Sequence, residues 1–420
     1  MNLYKLVFII LITMIVLTAC TQKKNSVGFI PGMEPKIMEL DFSYFGNFLS
    51  YEDSIGNYYN NSKLVIGNYF SSNFQNKAYT LLRTVTLPDT IISLEGPVII
   101  QLEKGDSYNF ADISVETIKL GKLQNTWKEN EATWYNATDT LTWSGGSGFS
   151  ESDYELMEFS SVEVDGDSIF LEIPGDMLID WVENDSTNFG ITIFTDQDDA
   201  FLEMLSAESE SVFLDFNYTT ADIDSVVNFN AKFTSDTFIY ETDEEYQRFN
   251  NELKISNIQP IKMYLDFNIS DSVFINYEGS GIENSDDYRR MTINKAELIL
   301  STSDVSNFPL DGSIALVPYL VLADSLDLDD TSVPLLQSED YESFYDGTAT
   351  DSLDAQDLVI NMKYIVQYIT AGERENHGIM IESIYENRDF LNAVFADLCY
   401  ENVDRRPRLR IIYTPPYLDE

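Results

Sequence analysis

From about residue 60 the chain alternates short apolar runs with polar breaks. Lys63–Ile66, Tyr79–Leu82, Val98–Leu102, Ile191–Phe194 and Ile293–Leu300 are rich in β-branched and aromatic residues, separated by Gly, Asn, Asp and Ser clusters. That pattern predicts strands: branched and aromatic side chains pack on a pleated surface, and the separators favour turns. Two stretches change period. Met177, Leu178, Trp181 and Val182 recur at helical spacing within 175–184, as do Tyr364, Ile365, Tyr368 and Ile369 within 361–369. Both predict short amphipathic helices, with Trp181 on the buried face. The elements add up to an all-β chain of antiparallel β-sandwich domains of jelly-roll type, each with one short helix.

The two helices expose an internal repeat. An alternating strand precedes each, at 168–173 and 356–360, and a glycine entering an apolar strand follows each, in Asn188-Phe-Gly190-Ile and Asn376-His-Gly378-Ile. Leu214–Thr219 then matches Leu409–Thr414, and Val98, Ile100 and Leu102 match Ala296, Leu298 and Leu300. Earlier, Leu82–Leu87 is set against Tyr264–Ile269. The offsets of 188, 195 and 198 agree within loop-sized insertions. The reading is two tandem copies of one fold, 37–220 and a divergent 233–416, joined by a linker at 221–232.

The N-terminus carries an address. An apolar run of 14 residues separates Lys5 from Cys20, too short for a spanning helix, and ends in Leu17-Thr18-Ala19-Cys20. This resembles the lipobox of bacterial lipoproteins, in which small residues admit the peptidase and the cysteine thiol accepts the lipid. Residues 1–19 then form the signal peptide, Cys20 is the lipid attachment site, and 20–36 is a tether. Several acyl chains on one residue anchor stably. The expected location is the cell envelope, lipid-anchored at the outer membrane, since Thr21 stands where an aspartate would retain a lipoprotein at the inner membrane. After cleavage Cys399 is the other cysteine, expected as a small buried hydrophobe because its neighbourhood alternates.

Charge narrows the partners. Against 25 basic residues stand 71 acidic ones, a formal charge of −46. Such a surface repels phosphate backbones, so no nucleic acid is expected as a partner. Yet 44% of the chain is hydrophobic and 13% aromatic, which a disordered acidic tail does not carry.

The first copy also shows Leu82-Arg83 ending a strand, then Trp127-Lys-Glu129-Asn-Glu-Ala-Thr133-Trp134, the helix with Trp181, the Gly190 strand and a closing strand ending at Tyr218. This order resembles the DNRLRE-type domains, which are similar to family-96 carbohydrate-binding modules. The resemblance implies secreted or surface β-sandwiches with a saccharide ligand. In the second copy it persists in Lys295–Leu300, the helix, Gly378 and the Pro407–Tyr413 ending. The Trp-Thr-Trp run is missing there, and the DNRLRE string is missing from both copies.

Candidate chemistry concentrates in a few places. Trp127, Trp134 and Trp143 fall within 17 positions. Exposed indoles stack on sugar faces, so they are candidate ligand-binding residues. The competing reading packs Trp127 and Trp134 into the sandwich, with Glu129 and Thr133 fixing a loop, and leaves Trp143 exposed beside Ser144–Gly148. Asp196, Asp198 and Asp199 follow a strand and are the first choice for calcium, which needs six to eight oxygens. Asp324, Asp327, Asp329 and Asp330 share a loop, and Asp165-Gly-Asp167 reads as a turn; none matches an EF-hand. His377, the one histidine, stands where the first copy has Phe189, which favours packing over catalysis. No catalytic residue and no cofactor other than calcium is assigned. Arg406, Arg408 and Arg410 share one face of the last strand, positioned to pair with acids on neighbouring strands.

The function this predicts is a non-catalytic lipoprotein held at the membrane by its lipid and binding polysaccharide or another surface ligand. A structural or adhesive lipoprotein with protein partners is the alternative, and a polysaccharide-degrading enzyme is a third reading.

Overall fold

A computed structural model describes residues 34–52, 63–70, 75–84, 86–105, 115–157, 161–198, 200–209, 211–221, 223–241, 248–250, 253–257, 261–303, 313–322, 341–343, 349–352, 357–384 and 392–416. Residues 1–33, hence the signal peptide, Cys20 and most of the tether, lie outside them. So do Asp199 and the Asp324–Asp330 loop.

The protein is all-β, with every strand pairing among the described residues antiparallel. The predicted strands form: Lys63–Phe70, Gln75–Arg83, Val98–Glu103, Ile191–Thr195 and Thr292–Ser301. Both predicted helices form as well, at Gly175–Glu183 and Lys363–Ala371. Trp181 is buried, as expected. The second half holds two further helices, Asp271–Asn276 and Ser285–Arg290, so the expectation of one helix per copy is corrected there.

Two sandwiches result. In the first, Ser161–Asp165, Ser168–Ile173, Val98–Glu103, Phe213–Thr220 and Ile223–Lys232 pair in that order. The facing sheet contains Tyr154–Met157, Ile118–Leu123, Ile191–Thr195 and Gln75–Arg83, extended by Lys63–Phe70 and Ala200–Leu205, with Ser235–Tyr240 also on Gln75–Arg83. Ile100, Leu171, Leu214 and Phe216 from one sheet meet Leu82, Leu120, Ile191 and Ile193 from the other in one core. In the second sandwich, Lys36–Leu40, Arg408–Thr414, Thr292–Ser301 and Asp357–Asn361 form one sheet. Phe45–Glu52, Ile261–Phe267, Ile379–Ser383 and Ser313–Val321 lie in the other. Met38, Leu40, Phe48, Leu265, Leu298 and Ile411 share its core.

The strand registers give the repeat its physical basis. Leu214 pairs with Ile100, and Leu409 with Leu298, preserving the offset of 198 between the two inner strands. Gly190 and Gly378 have φ of 89° and 88°, the left-handed region that suits glycine. A Cβ on either would strike a backbone oxygen, that of Leu82 or of Leu265. Two residues earlier, the Asn188 amide donates to the Thr84 carbonyl and the Asn376 amide to the Phe267 carbonyl, each at 2.6 Å. These contacts equate Leu82 with Leu265. The sequence match to Tyr264 is therefore one residue out of register, a slip that would turn each side chain to the opposite face.

The boundaries also need correction. Residues 221–232 do not form a linker: Ile223–Lys232 is a strand paired along Phe213–Thr220. Ser235–Tyr240 continues into the first sandwich. Conversely, Lys36–Leu40 and Phe45–Glu52 pair with Arg408–Thr414 and Ile261–Phe267 in the second. Alternation alone specifies which face of a strand is apolar and leaves its neighbour open.

At the C-terminus the expected alternation holds from Arg408 on; Arg406, expected on the same strand face, lies before the strand and donates to the Tyr400 carbonyl. Leu409, Ile411 and Tyr413 are buried, while Arg410 reaches Glu39 on the adjacent strand at 3.3 Å and Arg408 reaches Asp357, two strands away, at 2.9 Å. Cys399 is exposed, against expectation. Its backbone N–H donates to the Asp397 carboxylate, so the local order is an Asx turn and not a strand. Asp165-Gly-Asp167 is the hairpin turn expected, with Gly166 at φ 62°.

Candidate functional site

The Trp-rich segment builds a third layer over the outer face of the first sandwich. Ile191–Thr195 is buried along its whole length, as a strand covered on both sides must be. On the outer side Tyr79, Leu81 and Phe194 meet Leu123, Trp127, Trp134, Trp143 and Phe149 in a second core.

Within this layer the tryptophans have distinct places. Trp127 is fully buried; its indole N–H donates to the Phe189 carbonyl at 2.8 Å, and the Arg83 guanidinium lies 5.2 Å from its ring. Trp143 is 1% exposed and donates to the Thr133 carbonyl at 2.8 Å. The expectation of an exposed Trp143 is therefore corrected: Phe149 packs edge-on against it at 5.0 Å. Thr133 also holds the loop through its hydroxyl, which accepts from the Asn136 N–H. Glu129 accepts from the Asp236 N–H at 3.4 Å. Trp134 alone of the three reaches the edge of a cleft.

That cleft, about 650 Å³, is the strongest candidate site. Its floor is aromatic: Tyr79, Trp134, Phe149, Tyr154 and Phe194, each centroid within about 5–6 Å of a neighbour. Its rim is charged, with Lys77 against Glu151, Asp196 and Glu241. The Lys77 ammonium lies 5.2 Å from the Tyr79 ring and 4.0 Å from the Asp196 carboxylate. Burial, with Glu151 and Asp196 nearby, pushes the Tyr154 phenol up to about 12. Burial and Glu241 push Tyr79 up further. Both phenols are therefore neutral at physiological pH and available as donors and acceptors. Three carboxylates against one ammonium favour a neutral or cationic ligand over an anion.

The glycine-rich loop fixes one wall. Gly148 takes a φ of 116°, and a Cβ there would run into the Trp134 indole. Asp153, fully buried, ties the loop down: its carboxylate accepts from Asn125 Nδ2, the Ser144 and Ser150 N–H groups and the Ser150 hydroxyl at 2.6–3.1 Å.

The remaining sequence candidates lie elsewhere or have other roles. Asp198 accepts from the Asn68 amide at 2.8 Å and Asp196 belongs to the cleft rim. Among the described residues no group of three metal-ligating side chains comes together. His377 lies 3.4 Å from Glu375, and its carbonyl accepts from the Tyr264 hydroxyl. Sequence reasoning missed Tyr79, Phe149, Tyr154 and Phe194. The signal that marks them is Phe194, an aromatic on the strand face opposite Ile191 and Ile193, which places apolar side chains on both faces of that strand.

Compared with known proteins, the chain matches no family model, no curated protein and no solved structure.

Proposed function

We propose that the protein is a non-catalytic binding lipoprotein of the bacterial cell envelope. In this reading Cys20 carries the lipid, and the first sandwich binds a neutral or amino-bearing saccharide of a surface polysaccharide. The observation that carries it is the cleft lined by Tyr79, Trp134, Phe149 and Tyr154 beneath a rim of Lys77, Glu151 and Asp196. Aromatic walls take the apolar faces of sugar rings, and phenols, amine and carboxylates bind their hydroxyls. The likeness to carbohydrate-binding modules read from the Trp127–Trp134 run supports the same ligand class.

The test is a glycan array probed with the exported chain carrying Cys20→Ser, followed by titration of the hits. Tyr154→Leu is expected to weaken binding at least tenfold, and Trp134 fluorescence to change on saturation. Absence of any glycan hit, or binding indifferent to Tyr154→Leu in a folded variant, sinks the reading. A discrete protein partner captured in place of a glycan would favour the adhesive role.

A further inference from the structure

Neither sandwich is completed by the opening strands of its own repeat. Aligned by register, Lys36–Leu40 corresponds to Ile223–Lys232. Leu40 pairs with Leu409 as Ala231 pairs with Leu214, and Met38 with Ile411 as Phe229 with Phe216. Phe45–Glu52 corresponds in the same way to Ser235–Tyr240, each pairing along the equivalent strand, Ile261–Phe267 or Gln75–Arg83. The first two strands of the first repeat thus finish the second sandwich, and those of the second repeat finish the first. The repeats have exchanged their opening strands.

The two halves of the exchange differ physically. Ile223–Lys232 follows Phe213–Thr220 after two residues, so that hairpin closes locally within one chain. Lys36–Leu40 must instead find a strand about 370 positions away; its Glu39 meets Arg410 across a separation of 371. Long closure carries a larger entropic cost and a lower effective concentration, which an equivalent strand from another molecule can rival. The donor also precedes every other described strand. Among the described residues, releasing it breaks strand pairing to Arg408–Thr414, Ile261–Phe267 and Arg248–Asn250 alone, all in the second sandwich.

We infer that Lys36–Leu40 with Phe45–Glu52 is a donor pair that can complete the second sandwich of another copy of this chain. The partner is the same sequence, the acceptor edge is Arg408–Thr414 with Ile261–Phe267, and exchange occurs while chains fold. A one-way exchange extends head to tail, and a reciprocal one closes a dimer.

The experiment uses the full exported chain with Cys20→Ser and Cys399→Ser throughout. Ile37 and Ile412 are register partners facing away from the core. The double variant Ile37→Cys with Ile412→Cys, refolded dilute, is expected to close a disulfide within one chain. Equal amounts of the two single variants, refolded together, are expected to give a covalent 37–412 dimer whose yield rises with concentration. At high concentration that yield should exceed tenfold that of Ile37→Cys mixed with Val164→Cys, an exposed position on the first sandwich. A mixture giving no more dimer than this control, under conditions where the double variant closes, overturns the exchange between chains. Failure of the folded double variant to close overturns the donor pairing itself.

Discussion

Asp236 is 7% exposed, on the strand that the second repeat lends to the first sandwich. Burial pushes its carboxyl up to about 6; the Ala207 N–H donating at 2.7 Å opposes the shift, and neighbouring Glu129 adds to it. With a folded pKa above the unfolded one, the folded state holds the proton longer, and stability falls as pH rises from about 4 to about 6. The loss is on the order of 3 kcal/mol. Asp236→Asn keeps an acceptor for Ala207 and removes the charge. It should leave stability similar near pH 4, raise the urea midpoint near pH 7.5, and flatten the curve between. Parallel pH profiles for the two proteins would rule this out. Asp153 is also buried, and its carboxylate accepts from four donors. Asp153→Ala strands those donors and should cost several kcal/mol, about 1–3 for each left unpaired, while loosening the Gly148 wall of the cleft. Proteolysis within 144–150 would report it. At this scale the sequence identified which residues are unusual but not their surroundings. Glu129 and Thr133 fix a loop as read from the Trp127–Trp134 run. Trp143 beside a glycine-rich stretch looked exposed because sequence does not show that Phe149 folds back over it.

Among the elements, the strand opened by Asn-x-Gly is the most diagnostic. Asn188 and Asn376 hold equivalent carbonyls, and Gly190 and Gly378 let the backbone pass against Leu82 and Leu265. Alanine at either glycine meets a positive φ and a backbone oxygen that cannot yield like a flexible side chain. A Cβ would lie 2.1 Å from the Leu82 oxygen at Gly190 and 2.8 Å from the Leu265 oxygen at Gly378. Gly190→Ala should therefore destabilise the first sandwich by more than Gly378→Ala does the second, each by roughly 2–4 kcal/mol or more. Urea unfolding followed separately in the two halves, by Trp fluorescence for the first and hydrogen exchange for the second, measures the difference. The helices, these strands and the arginine edge were legible because each rests on local period. The third layer was not, because it depends on which sheet face a 30-residue excursion folds back to cover. The tyrosines of the cleft became visible only with that cover in place.

For the whole molecule, repeat boundaries and folding boundaries differ. Aligned by strand register, the repeat begins near residue 37 and again near 223, whereas the first sandwich runs from Lys63 to about Glu241 and the second takes its opening strands from 36–52. Similarity records ancestry of segments, but a folding unit is defined by which edges are paired and which side chains leave water. Among the described residues, 63–241 contain the strands of the first sandwich and the two cores described for it. A chain cut to 63–241 should fold alone, with cooperative unfolding and the Trp environment of the intact protein. A chain cut at the repeat, 37–220, lacks Ile223–Lys232 and Ser235–Tyr240. It leaves the Phe213–Thr220 edge open and the apolar side of its own first strands without a sandwich to enter. It should aggregate or remain partly folded. Deleting residues 34–52 from the full chain makes the complementary case. Met38, Leu40, Phe45, Phe48 and Leu49 are all buried in the second sandwich. At about 1.5–3 kcal/mol each, their loss rivals the roughly 5–15 kcal/mol that holds an ordinary domain together. The second sandwich should then lose hydrogen-exchange protection along Arg408–Thr414 and Ile261–Phe267, while the first keeps its own. Equal loss in both halves, or a stable 37–220 fragment, would show that the opening strands belong with their own repeat.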